Sequence, residues 1–325
     1  MRKAFLLLSL GVLLRAVPLP LMPWPSEMHA GEGTFQTSGP LSVSYSGVGA
    51  NDPRVGNAAH RFLDSLTQQT GIPFPSTASV TAALRIVVEN KDHAGPQRLG
   101  DDERYDLRIT VDGIRLSANA PLGVLRGLET LLQLANLCGK GSSVCWPLVD
   151  IRDEPRFAWR GLSLDVSRHF IPVEGIKRTI DGLAAVKMNV LHWHLTDDEG
   201  LRVESNSYPK LHQLGSDGQY YTQAEVREIV AYARDRGVRI VPEFDMPGHS
   251  TSWLIGYPSL AARPGPYTMA HGRGDTHGAI DPTKESTYKL LGGVIAEMAK
   301  LFPDEYFHIG GDEVEAKEWN RSEEH

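Results

Sequence analysis

Met188-Asn189-Val190-Leu191-His192-Trp193-His194-Leu195-Thr196-Asp197-Asp198 is the stretch that decides the fold. Residues 188–195 read as a short, mostly apolar strand, as expected where both faces of a sheet are covered. The strand runs out into His194, Asp197 and Asp198. Three other stretches repeat the pattern. Residues 161–167 end in Asp165, Ser167, Arg168 and His169. Residues 238–244 end in Glu243, Asp245 and His249, and residues 306–309 lead to Asp312 and Glu313. Helices fall between them. Pro172 opens one that carries Ile176, Ile180 and Leu183. Thr222 and Glu225 form a capping-box pair before Val226, Ile229, Val230 and Ala233, and Gly237 stops that helix. Asp281-Pro282 predicts the start of a third, lined by Tyr288, Leu291, Ile295 and Met298. Alternating strand and helix imply a parallel sheet. Reactive residues gathered at the C-terminal strand ends fit a (β/α)8 TIM-type barrel. An open doubly wound sheet would also place ligands at strand ends, but no glycine-rich phosphate turn follows the first strand.

Working outward, residues 30–152 read as a small α+β domain. Val55, Ala59, Phe62 and Leu66 share one helical face, and residues 84–88 form a short strand. Tyr105, Leu107, Ile109 and Val111 alternate with polar residues, which predicts a strand with one wet face. Asp112-Gly113 is a hairpin turn signal, and Ile114, Leu116 and Ala118 continue the alternation. Pro121 then opens a helix with Leu125, Leu128 and Leu132 inward. The barrel, assigned to residues 153–325, shows only about four βα units. It stops well short of the about 250 residues of a complete barrel, so the sequence is expected to be truncated halfway round.

Residues 1–25 have the shape of a secretory signal peptide. Met1-Arg2-Lys3 is basic, the run from Ala4 to Leu14 is apolar, and Arg15 and several prolines follow. Export to a periplasmic, extracellular or lumenal space is expected, with the mature start between Ala16 and Ala30. That run is too short to span a bilayer, and no other segment is long and apolar enough. No membrane association is expected beyond export. The net charge is −7 without a Lys/Arg cluster, which argues against a nucleic-acid partner. Hydrophobic residues make up 41% of the chain, enough for an ordinary globular core. Cys138 and Cys145 permit a disulfide in an exported chain, whereas two thiols alone make a poor zinc site.

The densest chemistry is His308-Ile309-Gly310-Gly311-Asp312-Glu313. Adjacent strand residues point to opposite faces, so both carboxylates reach one pocket only if the chain turns. The two glycines permit that turn and leave room for a substrate. In a dry site two such carboxylates would not both ionise, and a retained proton is what glycosidic cleavage needs. A solvated acidic pair at a helix start would look the same.

His-x-Gly-Gly-Asp-Glu resembles the signature of glycoside hydrolase family 20, the β-N-acetylhexosaminidases. Further segments match the family in order. They are Arg160-Gly161, Asp165-Val166-Ser167-Arg168-His169, Lys187-Met188-Asn189, His192-Trp193-His194-Leu195-Thr196-Asp197-Asp198, Pro242-Glu243-Phe244-Asp245-Met246-Pro247-Gly248-His249 and Trp319. The resemblance implies exo-acting hydrolysis of terminal N-acetylhexosamine from an oligosaccharide or glycoconjugate, without a cofactor or metal. It also implies a retaining mechanism in which the substrate's own acetamido oxygen is the nucleophile. Carried over, Glu313 is the general acid and later the base. Asp312 orients the acetamido group and stabilises the oxazolinium ion. Arg168 clamps sugar hydroxyls, and Asp197 and His249 lie behind the acid. His194 and Asp245 read either as groups behind the sugar-contacting residues or as structural, Asp165 reads as structural, and Trp319 as core rather than site lining. The family's later barrel strands supply aromatic walls and further sugar ligands, at positions this sequence does not reach.

Two other readings compete. His192-x-His194 on a barrel strand could bind a metal, as in amidohydrolases. Alternatively, the chain is a non-catalytic fragment or sugar-binding remnant, with little activity by itself.

Overall fold

The computed structural model describes residues 19–37, 39, 41–74, 82–93, 95–141, 143–272, 278–314, 316–320 and 322. Most of the expected signal peptide, residues 1–18, lies outside them. The N-terminal layer holds β1 (Glu27–Thr37), β2 (Val43–Ser46), α1 (Pro53–Thr70), β3 (Leu84–Val88), β4 (Tyr105–Thr110), β5 (Gly113–Ala118), α2 (Pro121–Gln133), β6 (Asn136–Cys138) and β7 (Ser143–Asp153). The sheet order is β1-β7-β4-β5-β3-β2, with β6 also on β7. The expected hairpin forms between β4 and β5, in the register Leu107↔Leu116. Gly113 has φ 137°, and a Cβ there would meet the Ala83 carbonyl at 2.8 Å. The turn therefore requires glycine. Val55, Phe62, Leu63 and Leu66 of α1 and Val124, Leu128 and Leu131 of α2 bury against Leu84, Ile86, Leu107 and Leu116.

The second layer holds β8 (Gly161–Asp165), α3 (Val173–Ala185), β9 (Val190–Asp197), β10 (Gly200–Leu201), α4 (Lys210–Leu214), α5 (Gln223–Asp235), β11 (Arg239–Phe244), α6 (Thr251–Gly256), α7 (Glu285–Met298) and α8 (Ala316–Trp319). β8 and β11 flank β9, both parallel to it. Residues 306–309 come next, through His308 N–H to Pro242 O (3.0 Å) and Phe244 N–H to His308 O (3.1 Å). Spatial order follows chain order without reversal, the winding of a barrel and not of a doubly wound sheet. Leu191, Trp193 and Leu195 alternate toward the helices, where they meet Ile176, Ile180, Val226 and Ile229. His192 and His194 therefore take the opposite, inner face, and the register shift after Glu243↔His194 brings Asp197 to that same face. The capping box at α5 forms as expected, with both Thr222 and Glu225 bonds present.

Several expectations need correction. Residues 306–309 make only an isolated bridge, Glu243↔His308. Among the described residues they have a neighbour on one side only, and Ile309 is exposed. Asp281 does not cap α7. Its carboxylate accepts from Thr283 N–H (2.9 Å), Thr283 Oγ1 (2.6 Å) and Ser322 Oγ (2.9 Å), which holds a turn and delays the helix to Glu285. The buried stripe of α7 is accordingly Thr287, Val294 and Met298, and Tyr288 is exposed. Cys138 and Cys145 are free thiols. Their strands pair Cys138 with Ser143 and Cys145 with Asn136, so the two are diagonal, and Cys138 Sγ faces Ser143 O at 3.7 Å. Burial pushes the Cys145 thiol up to about 11.

The two layers are joined by buried charge. Glu103 accepts from Arg126 Nε (2.6 Å), Arg160 Nη2 (2.5 Å) and Asn189 Nδ2 (3.0 Å). Arg126 Nη2 also donates to Gly237 O, just before β11 (2.6 Å). Lys187 Nζ donates to Asp153 (2.9 Å) and Tyr105 Oη (2.8 Å). No helix of the described residues is long and apolar enough to cross a membrane.

Candidate active site

The polar strand ends converge on one carboxylate, Asp197, at the end of β9. It is 1% exposed. Its Oδ1 accepts from Asp198 N–H (2.7 Å) and His249 Nδ1 (3.2 Å), and its Oδ2 from His194 Nε2 (2.9 Å), with Arg168 Nη2 in ion-pair contact at 2.7 Å. Burial opposes its ionisation, but bonds to His194 and His249 outweigh burial and hold it well below the usual range. Arg168 is a bridge as well as an exposed cation. It also reaches Asp165 Oδ2 (2.9 Å) and Glu199 Oε2 (3.5 Å). Asp165 in turn caps the backbone N–H groups of Ser167 (2.9 Å) and Arg168 (3.0 Å), so it shapes the turn after β8.

His249 follows Pro247-Gly248 and takes a left-handed backbone, φ 48°. With Nδ1 on Asp197, its Nε2 faces the exposed pair, 3.3 Å from Glu313 Oε2 and 3.8 Å from Asp312 Oδ2. The Asp197 bond outweighs burial and raises His249 to about 9, so it is a cation at neutral pH. Asp312 and Glu313 reach the same imidazole because the chain turns as expected. Gly310 and Gly311 have φ 67° and 106°, and Glu313 itself has φ 48°. The turn is anchored below by buried Asp245, whose Oδ1 accepts the Gly311 N–H at 3.1 Å. Burial pushes Asp245 up to about 6. The expected dry site is not seen among the described residues, since the Asp312 and Glu313 side chains are 65% and 79% exposed.

Glu243, on β11, was named from sequence as a strand-end residue but was given no role. Its Oε2 accepts from His192 Nε2 (2.7 Å) and His194 Nδ1 (2.7 Å), and its Oε1 lies 3.0 Å from His308 Nδ1. The cross-strand register Glu243↔His194 makes this possible, and only that register could have revealed it. His192 groups with Glu243 and His308, and His194 with Asp197 and Asp245, so the two histidines of His192-x-His194 do not converge on one cluster among the described residues. Trp319 is half-buried and donates to Ile280 O (3.1 Å), away from the pair.

The fold and these contacts define a class: a β/α barrel whose strand ends carry a carboxylate–imidazole–carboxylate line. The family model for the glycosyl hydrolase family 20 catalytic domain matches residues 157–325, and a "beta-acetyl hexosaminidase like" model matches residues 21–134. The chain belongs to glycosyl hydrolase family 20. Among its relatives is the β-hexosaminidase subunit beta of Felis catus, 34% identical over 97% of this chain and 59% of that protein. A chitobiase structure from Flavobacterium johnsoniae is 43% identical with a TM-score of 0.87, over 94% of this chain and 46% of that one. An exo β-N-acetylglucosaminidase of Vibrio harveyi, solved with N-acetylglucosamine, is 30% identical with a TM-score of 0.78, over 94% and 48%. The chain spans about half the length of the relatives it matches.

Proposed function

We propose that the protein is an exo-acting β-N-acetylhexosaminidase that releases terminal β-linked N-acetylglucosamine or N-acetylgalactosamine with retention of configuration. One observation carries the reading: the His249 cation stands between buried Asp197 and Glu313 Oε2. Glu313 gives its proton to the leaving oxygen. The fixed positive charge beside it then stabilises the carboxylate as it forms, which is electrostatic preorganisation. Asp312, on the same turn, orients the acetamido N–H and offsets the positive charge of the oxazolinium ion. The substrate's acetamido oxygen supplies the nucleophile, so its alignment replaces an enzyme nucleophile. Arg168, 45% exposed on the same rim, donates to sugar hydroxyls with the guanidinium edge that its carboxylate partners leave open. The Vibrio harveyi relative holds N-acetylglucosamine in its complex, which supports this sugar class.

The test is release of nitrophenol from the aryl β-N-acetylglucosaminide by the full-length gene product, beside the β-glucoside that lacks the acetamido group. Only the first should be cleaved, and Glu313→Gln should lose about 100-fold or more of kcat. An equally active Glu313→Gln, or cleavage of both substrates, would overturn the assignment.

We also propose that the protein is exported. The basic start and apolar run before Pro18 support this. Leu19 and Leu21 pack on the N-terminal core, which favours cleavage at the amino side of Leu19. Mass spectrometry of the protein from the exported fraction tests it, and a chain that retains Met1-Arg2-Lys3 inside the cell refutes it.

A further inference from the structure

The line Asp197–His249–Glu313 leaves open what holds Asp197 itself. Asp197 sits on the inner face, where its Oδ2 has two partners, Arg168 and His194. His194 is the buried one, and it is held from both sides. Its Nδ1 lies 2.7 Å from Glu243 Oε2 and its Nε2 lies 2.9 Å from Asp197 Oδ2. A neutral imidazole has one N–H. Its bare nitrogen would then set a lone pair against a carboxylate oxygen at hydrogen-bond distance. Only the doubly protonated ring satisfies both contacts.

We propose that His194 is a positioning residue for the acid Glu313: as an imidazolium strapped between Glu243 and Asp197, it fixes the Asp197 carboxylate so that the His249 imidazole keeps its place beside Glu313. This rests on the function proposed above. The surroundings favour the cation. β8 contributes Asp165, β9 contributes Asp197, β11 contributes Glu243, and the turn after β11 contributes Asp245. The facing basic side chains reach His194 only through those carboxylates: Arg168 and His249 through Asp197, and the imidazoles of His192 and His308 through Glu243. Without His194, Asp197 Oδ2 keeps only the half-exposed Arg168. The carboxylate can then swing toward the rim, and His249 loses its fixed acceptor.

The consequence is specific to proton delivery. Help from a general acid matters in proportion to the basicity of the leaving oxygen. His194→Gln and wild type are compared in the full-length gene product on aryl β-N-acetylglucosaminides, from dinitrophenyl to methylphenyl, and on a β-linked disaccharide. His194→Gln should lose roughly 10–100-fold in kcat/KM on the basic leaving groups and no more than about threefold on dinitrophenyl. The limb of the pH profile that reports the acid should also move. An equal loss across the series would overturn the proposal, since a merely structural defect ignores the leaving group. Nitrogen-15 NMR of histidine-labelled wild type gives a readout that does not depend on the variant folding. Both His194 nitrogens should be protonated from about pH 5 to pH 9, and a neutral tautomer at neutral pH would overturn the proposal. Wild type that cleaves none of the substrates refutes the function and this role with it. The NMR result alone refutes only the role.

Discussion

Gly310→Ala is the sharpest test of how the acidic turn is held. A Cβ on Gly310 would fall 1.6 Å from Asp245 Oδ1, 2.2 Å from its Cγ and 3.0 Å from its Cα. No rotation of the alanine relieves this, because a Cβ is fixed by the backbone. Asp245 must swing away, and the Gly311 N–H then loses its 3.1 Å acceptor. A hydrogen bond to a charged group is worth about 1.5–3 kcal/mol. Holding an L-residue at φ 67° costs about 1–2 kcal/mol more. The turn is therefore destabilised by about 2.5–5 kcal/mol, enough to abandon its geometry while the rest of the layer stays folded. A shift of about 1 Å at a reacting group costs about 100-fold in rate. The assay is kcat/KM of the full-length gene product on an aryl β-N-acetylglucosaminide, with the thermal transition as a control for folding. The expected result is a loss of about 100-fold with little change in melting. Gly311→Ala, where a Cβ meets open space, isolates backbone strain from overlap and should lose less. Activity of Gly310→Ala within about twofold of wild type would refute the reasoning.

Asp245→Asn addresses the same anchor through pH. Burial raises this carboxyl to about 6, so the native state holds a proton that the unfolded chain has released. The native protein binds more protons than the unfolded chain between about pH 4 and pH 6, and stability falls as pH rises through that window. The amide should flatten this dependence and add about 2–3 kcal/mol at neutral pH, and an unchanged pH dependence by urea denaturation would sink the argument. Glu103→Ala leaves Arg126 and Arg160 in the seam without their counter-charge, and chemical denaturation should show a loss of about 3–5 kcal/mol; a loss below about 1 kcal/mol would mean that water replaces the carboxylate. Thr222→Ala removes the cap of α5 and should cost about 1 kcal/mol, with no effect on kcat; a change in kcat would mean that the α5 cap reaches the site.

Local signals were readable from the residues alone. The capping box of α5, the Asp112-Gly113 hairpin and the short strands at β8, β9 and β11 each depend on neighbours close in sequence. The gathering of reactive residues at the strand ends followed once alternating elements implied a barrel, and the placing of Asp197 and His249 behind the acid rested on the family resemblance. What escaped depends on distant partners. β1 shows no clean alternation, and it exists because β7 pairs along it, from Glu27↔Arg152 to Thr37↔Val144. The start of α7 was misplaced because the Asp281 carboxylate is claimed by Ser322, forty-one residues away. Glu243 was passed over because its role comes from the register that sets it beside His194. The dry pocket expected around Asp312 and Glu313 followed from chemistry rather than from packing, and the described residues leave that side open.

The seam around Glu103 also bears on how such chains can be recombined. Arg160 and Asn189 flank the first two barrel strands, and the Gly237 carbonyl precedes the third. All three bond to the preceding layer, Arg160 and Asn189 to Glu103, and the Gly237 carbonyl to Arg126 and Gln97. A barrel cut free at residue 157 would expose a guanidinium, an amide and a carbonyl at the feet of its own strands. The leading layer thus closes the barrel's floor with bonded contacts. Chimeras of family members should keep their register when Glu103, Arg126, Arg160 and Asn189 travel as one unit, and lose it when the cut separates them.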